Sequence, residues 1–228
     1  ISYLISKEYA EKRRQLINSK KAAKTVTAGD LPLENGDTIY LTVADKDGNM
    51  VSLIQSNYGD MGAGLTPPNL GFSFQNRGQL FSLKEDHPNV YAPSKRPFHT
   101  IIPAFVMKND KPWLSFGLMG GSMQPQGHAQ IIVNLIDFGM NVQEAGDAAR
   151  IRHTGSSQPT DQVIKDGGIL YLEASINNKV RDQLKEMGHN LPNNTHVYGG
   201  YQAIMYDQVN NIYIGASDPR KDGQAGGY

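Results

Sequence analysis

The sequence predicts an α+β fold in which two β-sheets are covered by helices. Three features of the hydrophobic pattern support this prediction. Apolar residues alternate with a period of two through residues 38–57, a long apolar helix follows a strand within residues 113–136, and the alternation returns within residues 201–216. Strands in pairs, then buried helices, then strands again are typical of sheets whose faces are covered by helices.

The first predicted element is an exposed helix over residues 6–24. Ser6 is a suitable N-cap, Glu8 lies in the first turn, and lysines cluster near the end. Its apolar residues form only a thin stripe: Tyr9, Leu16 and Ile17. We therefore expect most of this helix to face solvent.

A β-hairpin is predicted next, with strands at residues 38–44 and 50–57. The residues between them include Asp, Gly and Asn, which accept the positive φ angles of tight turns. This pairing places Ser56 close to Thr38, at the same end of the hairpin. Residues 58–69 then form a loop whose glycines match neither the dinucleotide nor the Walker spacing, so no phosphate site is expected there.

Later elements follow from the same signals. They are a short strand at 71–75, a hairpin of 101–107 with 113–116, a helix after residue 122, a helix at 142–149, an amphipathic helix at 175–187 ended by Gly188, and a last hairpin of 201–206 with 212–216. The helix after residue 122 is apolar on all sides, which predicts burial between layers.

Composition argues against several classes of function. The 22 basic and 22 acidic residues balance, so neither a nucleic acid nor a membrane partner is expected. The chain has no cysteine and no apolar run long enough to span a bilayer. The histidines other than His99 show no metal-ligand spacing, and three aspartates lie in turns, so we expect neither a metal nor a cofactor. These residues are His87, His128, His153, His189, His196, Asp45, Asp47 and Asp207.

Thr38 is the main candidate for chemistry. It opens an apolar, β-branched run directly after Asn35, Gly36 and Asp37, whose turn chemistry exposes the backbone, so the Asp37–Thr38 bond is a candidate cleavage site. A threonine made N-terminal can use its own α-amine as the base, because the reference pKa of that amine is about 7.7–8.0. From these residues alone, Thr38 as an ordinary strand start stays open.

Ordered motifs across nearly the whole chain resemble the small subunit of the gamma-glutamyltranspeptidase family. They are D-T-x-Y-x-x-V-x-D-K-D-G-N at 37–49, K-R-P at 95–97, G-G-S at 120–122, I-D-F-G-M-N-V at 136–142, A-x-R at 148–150, G-A-S-D-P-R at 215–220 and A-G-G-Y at 225–228. The resemblance implies a four-layer αββα sandwich, the N-terminal-nucleophile hydrolase fold.

The resemblance also implies how the chain is divided. Residues 1–37 would be the tail of a large subunit, and residues 38–228 the small catalytic subunit released by self-cleavage of one precursor. The large subunit would then be a partner, and any targeting signal would lie in upstream residues, which leaves localisation open. A homo-oligomer is also left open.

The family's motifs imply roles for individual residues. Thr38 would be the nucleophile, and Gly120 and Gly121 would form the oxyanion hole. Ser56 stands where the family usually has a threonine that orients the nucleophile, and Tyr58 stands where transpeptidases commonly have an asparagine.

The substrate-binding motifs depart from the transpeptidase pattern. Transpeptidases have the motif N-N-Q-M-D-D-F-S where this chain has residues 75–82, and the second aspartate of that motif holds the substrate's ammonium group. This chain has Leu80 in place of that aspartate and Arg77 in place of the glutamine. His99 and Thr100 replace a Ser-Ser pair that binds a carboxylate. The N-R-G-x-x-F pattern resembles the branch of cephalosporin-type acylases and gamma-glutamyltransferase-like proteins. We therefore expect a small amide with an anionic acyl or leaving group, bound partly by Arg77.

The resulting hypothesis is an N-terminal-threonine amidohydrolase or acyltransferase. It would cleave a gamma-glutamyl or related acyl amide through a threonyl ester. The alternative is a catalytically silent family member that serves as a binding or assembly protein. A generic carbohydrate-binding β-sandwich would explain the strands but not the ordered motifs.

Overall fold

The structure, a computed structural model, describes residues 2–3, 5–25, 38–155, 160, 165–193 and 196–227. Its elements are α1 Lys7–Arg14, β1 Thr38–Ala44, β2 Met50–Ser56, a 3₁₀ helix Arg77–Leu80, β3 Ala104–Lys108, β4 Lys111–Met119, α2 Met123–Ile136, α3 Val142–Asp147, β5 Ile151–Thr154, β6 Ile169–Leu172, α4 Asn178–Glu186, β7 Gly200–Asp207 and β8 Ile212–Ser217. This mixture of helices and sheets confirms the α+β prediction.

The central layer is an antiparallel sheet in the order β3-β4-β7-β8, and the β1–β2 hairpin packs on one of its faces. The contact is close: a Cβ added at Gly117 would lie 2.3 Å from the ring of Tyr40. The hydroxyls of Thr42 and Ser115 also lie 2.6 Å apart across the two layers. The hairpin therefore has a fixed position over the middle of β4.

Helices α2 and α3 cover the opposite face of the sheet. Leu114, Phe116 and Leu118 of β4 point into this core, where they meet Ile131 of α2 and Ala145 of α3. Because both of its faces are covered, all five residues from 114 to 118 are buried. The order of layers is thus helix, sheet, hairpin, and the outer face of the hairpin is exposed.

Several predicted elements have different bounds in the structure. Helix α1 begins after the Ser6 cap, as predicted, but ends at Arg14, ten residues short of the predicted end. None of its residues is buried, and Asn18 accepts a hydrogen bond from the backbone N–H of Lys20 at 2.8 Å. With no packing to extend the helix, this local turn competes successfully with it.

The predicted strand at 71–75 is wrong. Phe74 exchanges backbone hydrogen bonds with Ala63 and Leu65 of the preceding loop, and Gly71 has a φ of +66°. The segment is therefore held by the loop and joins no sheet. The prediction that α2 is buried on all sides is also wrong, since Ile136 is 61% exposed on this outer-layer helix.

His128 on α2 is a half-buried histidine that supports β4. Its Nε2 accepts a hydrogen bond from the Leu118 backbone N–H at 3.1 Å, and its ring packs on Phe116 with centroids 4.8 Å apart. Burial lowers the pKa of His128 from 6.5 to about 4. The neutral ring is the form that accepts this hydrogen bond.

This pKa shift predicts a loss of stability in acid. Between pH 6.5 and 4 the unfolded chain binds the proton and the folded chain does not, so His128 stabilises the fold above pH 6.5 and loses that contribution as the pH falls towards 4. The lost stability amounts to about 3 kcal/mol. The free energy of unfolding should be measured with urea at pH 7 and at pH 4. Between these two pH values, wild type should lose about 3 kcal/mol more of it than His128→Gln does. The exposed His99 provides the control for the substitution itself, because His99→Gln should leave the free energy of unfolding at pH 7 nearly unchanged.

Candidate active site

Thr38 and Ser56 face each other at the open end of the β1–β2 hairpin, where the strand register pairs them directly. The Thr38 hydroxyl donates a hydrogen bond to Ser56 Oγ at 2.9 Å. The backbone N–H of Tyr58 donates to the same oxygen, also at 2.9 Å. Tyr58 does so with a φ of +79°, which is costly for a residue with a large side chain. The chain thus turns sharply after β2 to fix the hydroxyl beside Thr38.

Gly120 and Gly121 lie between β4 and α2. Their φ angles are +133° and +60°, and a Cβ added at Gly120 would lie 2.9 Å from the Cα of Gly199. Their carbonyls accept hydrogen bonds from the N–H groups of Met123 and Gln124, both at 3.1 Å. Neither glycine N–H is used in a hydrogen bond between residues that the structure describes. Two N–H donors are therefore available at the start of a 14-residue helix, where an anion is favoured.

Thr38 and Gly120 both line one cavity of about 840 Å³. Its walls carry charged side chains of both signs, which are Arg152, Lys221, Asp60 and Asp222, together with His196. Arg152 is the most buried of these cations, at 3% exposed, and donates to the Ser122 hydroxyl at 3.2 Å beside the glycine pair. The cavity therefore combines a hydroxyl, a helix N-terminus and ionic groups that a small polar substrate could contact.

Arg77 and Thr100 lie behind Ser56, and neither is among the residues that line this cavity. Arg77 is buried, its Nε donates to the Thr100 hydroxyl at 2.7 Å, and both terminal nitrogens donate to the Ser56 carbonyl at 3.1 Å. Burial lowers the pKa of Arg77. His99 is exposed. A substrate contact by Arg77, Tyr58, His99 or Thr100 stays a prediction.

The structure describes the predicted processing site on the Thr38 side only. Asp37, on the other side of the proposed scissile bond, and residues 26–36 lie outside the described residues. Thr38 itself is half-buried at the start of β1. Within the described part of the chain, no group of His, Asp and Glu side chains could hold a metal ion, and no helix is long and apolar enough to cross a membrane.

The sequence analysis missed a buried ion network next to the cavity. Arg150 and Asp218 form an ion pair of 2.6 Å, with side chains 1% and 0% exposed. Arg220 adds bonds to Asp218 at 3.1 Å and to Glu173 at 2.5 Å. Asp218 also accepts from the N–H of Tyr201 in β7, the strand whose next residues line the cavity. The A-x-R and S-D-P-R motifs, read from sequence only as marks of resemblance, therefore act together to hold the cavity wall.

Comparisons with known proteins agree on one family. The sequence model described as Gamma-glutamyltranspeptidase matches residues 1–228. The glutathione hydrolase-like YwrD proenzyme of Bacillus subtilis is 35% identical over 98% of this chain and 41% of its own length. The oxamate amidohydrolase proenzyme of Klebsiella pneumoniae is 36% identical over 85% of this chain and 36% of its own.

Solved structures give the same result. The cephalosporin acylase from Bacillus halodurans superposes with a TM-score of 0.81 and 40% identity, covering 97% of this chain and 38% of that protein. Gamma-glutamyltranspeptidase from Pseudomonas nitroreducens superposes with a TM-score of 0.69 and 28% identity, covering 83% of this chain and 98% of the matched chain. The present chain thus spans about two fifths of the length of the curated relatives.

Proposed function

Since this chain belongs to the gamma-glutamyltranspeptidase family and has its N-terminal-nucleophile hydrolase fold, we propose that it is the catalytic part of an N-terminal-threonine amidohydrolase or acyltransferase. The observation that supports this most is the Thr38 hydroxyl, bonded to Ser56 at 2.9 Å and sharing a cavity with Gly120. Relatives of this chain are named as proenzymes of hydrolases and acylases. Neither the geometry nor the names favour a silent binding protein.

The first proposed step is self-processing at Asp37–Thr38. The Thr38 Oγ attacks the carbonyl carbon of Asp37, the C–N bond breaks as the nitrogen takes the proton, and an ester joins the two residues. Water then hydrolyses the ester, which leaves a carboxylate on Asp37 and a free amine and hydroxyl on Thr38. Residues 1–37 would remain with the large subunit as its tail, and residues 38–228 would form the small subunit.

Turnover uses the same hydroxyl with its new base. The α-amine of Thr38 takes the hydroxyl proton while Oγ attacks the substrate amide carbonyl. The N–H groups of Gly120 and Gly121 stabilise the oxyanion, an interaction typically worth about 2.7–4 kcal/mol per donor. The amine product leaves with a proton, and water or an acceptor amine then releases the acyl group from the threonyl ester. Ser56 orients the nucleophile throughout.

The proposed substrate is a small amide whose acyl part carries a carboxylate but needs no α-ammonium group. Leu80, which stands at the family's ammonium-binding aspartate, is buried at 6% exposed and cannot pair with a cation. Arg152 and Lys221 line the cavity and offer positive charge to an acyl carboxylate. One relative is named for oxamate, an amide whose acyl part carries a carboxylate. The chemistry of this site thus differs from that needed to bind glutathione.

Two matched substrates test this proposal on the full-length protein. Glutaryl-4-nitroanilide and gamma-glutamyl-4-nitroanilide differ by the α-amino group alone. We expect kcat/KM to be about tenfold or more higher for the glutaryl compound, because the ammonium would lose hydration without the carboxylate that Leu80 replaces. Mass spectrometry should also show a polypeptide that begins at Thr38. Preference for the gamma-glutamyl compound would refute the proposed substrate class. A chain that stays intact and shows no activity would refute the proposal that the protein is an N-terminal-threonine enzyme.

A further inference from the structure

We propose that Arg77 is a positioning residue that holds the end of β2 so that Ser56 meets the Thr38 hydroxyl. This inference rests on the proposed function, because it assigns Arg77 to the nucleophile's support. The sequence predicted a substrate contact for the same side chain. The two roles make different kinetic predictions, so they can be separated.

The contacts of Arg77 converge on the Ser56 peptide. Both terminal nitrogens donate to the Ser56 carbonyl oxygen at 3.1 Å, and Nε donates to the Thr100 hydroxyl at 2.7 Å. Two of the five N–H donors of the guanidinium therefore hold the backbone carbonyl of Ser56, and a third anchors the guanidinium to the Thr100 side chain. A planar, doubly donating group fixes both the direction and the distance of the carbonyl that it binds.

Fixing this carbonyl also fixes the Ser56 hydroxyl. The carbonyl and the side chain belong to the same residue, so a rotation of the peptide plane would move Oγ away from Thr38. The Tyr58 N–H, which follows this peptide, donates to the same Oγ at 2.9 Å. The positive φ of Tyr58 is an uncommon conformation that needs support from its surroundings. Arg77 supplies such support, since its guanidinium lies 5.9 Å from the centre of the Tyr58 ring.

The neighbouring Asn76 holds the next part of the same turn. Its side chain accepts from the Gly59 N–H at 2.9 Å and donates to the Gly62 carbonyl at 3.2 Å. Its backbone N–H donates to the Asn57 carbonyl at 3.1 Å. Asn76 and Arg77 of the N-R-G motif thus form hydrogen bonds to the end of β2 and to the turn that follows it. These contacts of the motif fix the position of Ser56 beside the Thr38 hydroxyl.

The test is a comparison of kcat and KM for Arg77→Gln and Arg77→Lys in the full-length protein, with glutaryl-4-nitroanilide as the substrate. A positioning role predicts that Arg77→Gln lowers kcat by about 10- to 100-fold, the scale of a misplacement near 1 Å, while KM changes by less than about threefold. It also predicts slower self-processing at Thr38. Arg77→Lys keeps the charge but loses the planar double contact, so it should restore only part of kcat.

A substrate contact predicts a different pattern, in which KM rises strongly and self-processing keeps its wild-type rate. That pattern, or unchanged kcat in both variants, would overturn the inference. Arg14→Gln is the matched control on an exposed helix and should leave kcat, KM and processing unchanged.

Thr100→Val is the second variant, to be used if Arg77→Gln does not fold. It keeps the guanidinium and removes one of its anchors, so it should still lower kcat without raising KM. An unchanged kcat in Thr100→Val would refute the inference. A wild type that is neither processed nor active refutes the proposed function itself.

Discussion

Thr38→Ala should leave the Asp37–Thr38 bond intact and lower amide turnover by about 10⁴-fold or more, the scale seen when a catalytic nucleophile is removed. The methyl group of alanine cannot attack a carbonyl, so both the processing step and the acyl transfer lose their reacting atom. The cost to the fold should be small, because Thr38 is half-buried and its side chain bonds to Ser56 alone among the described residues. Intact mass and nitroanilide release measure the two effects.

Thr38→Ser is the matched control for this experiment. It keeps the hydroxyl that bonds to Ser56 and removes only a methyl group, so processing and turnover should both persist at a reduced rate. Wild-type cleavage at Asp37–Thr38 that continues in Thr38→Ala would show that another group breaks this bond. Turnover that survives in the alanine variant would show that Thr38 is not the nucleophile.

The local geometry of this site was predictable because it depends on short-range signals. The turn at Asp45–Asn49 sets the hairpin register, and a register error of one residue would send Ser56 to the other face. Asp45 accepts from the N–H groups of Asp47 and Asn49 at 2.9 Å, which stabilises that turn. The contact between Thr38 and Ser56 follows from this register.

Contacts between distant segments were not predictable in the same way. Arg150 and Asp218 are 68 residues apart, and nothing in periodicity pairs an arginine after α3 with an aspartate after β8. Likewise, β5 and β6 were missed, because each has four residues and, in the part of the chain that the structure describes, they form a separate two-stranded sheet. Arg77 shows the related difficulty for site residues: the sequence gives its charge and motif, whereas its direction towards the Ser56 carbonyl depends on how the chain folds after residue 57.

The second large effect is expected in the buried ion network. Asp218→Asn should lower the free energy of unfolding by about 3–5 kcal/mol, because it leaves the Arg150 guanidinium buried without its countercharge. Glu173 and Arg220 form their own pair at 2.5 Å and cannot replace the lost carboxylate at 2.6 Å from Arg150. Urea unfolding should be measured in the Thr38→Ala background, so that every variant is compared as an unprocessed chain.

Asp182→Asn provides the control, since it makes the same chemical change in an exposed pair, Asp182 with Lys185 at 3.6 Å, and should cost less than about 1 kcal/mol. The double variant Arg150→Met with Asp218→Asn removes both charges and should recover part of the loss. That recovery would separate the penalty of an unpaired buried charge from the loss of packing. Equal small costs in the buried and exposed pairs would contradict this account, because they would mean that water reaches Arg150. The same loss would loosen Tyr201 and the adjoining cavity wall. In a chain that keeps Thr38, Asp218→Asn should therefore raise KM under conditions where the protein is still folded.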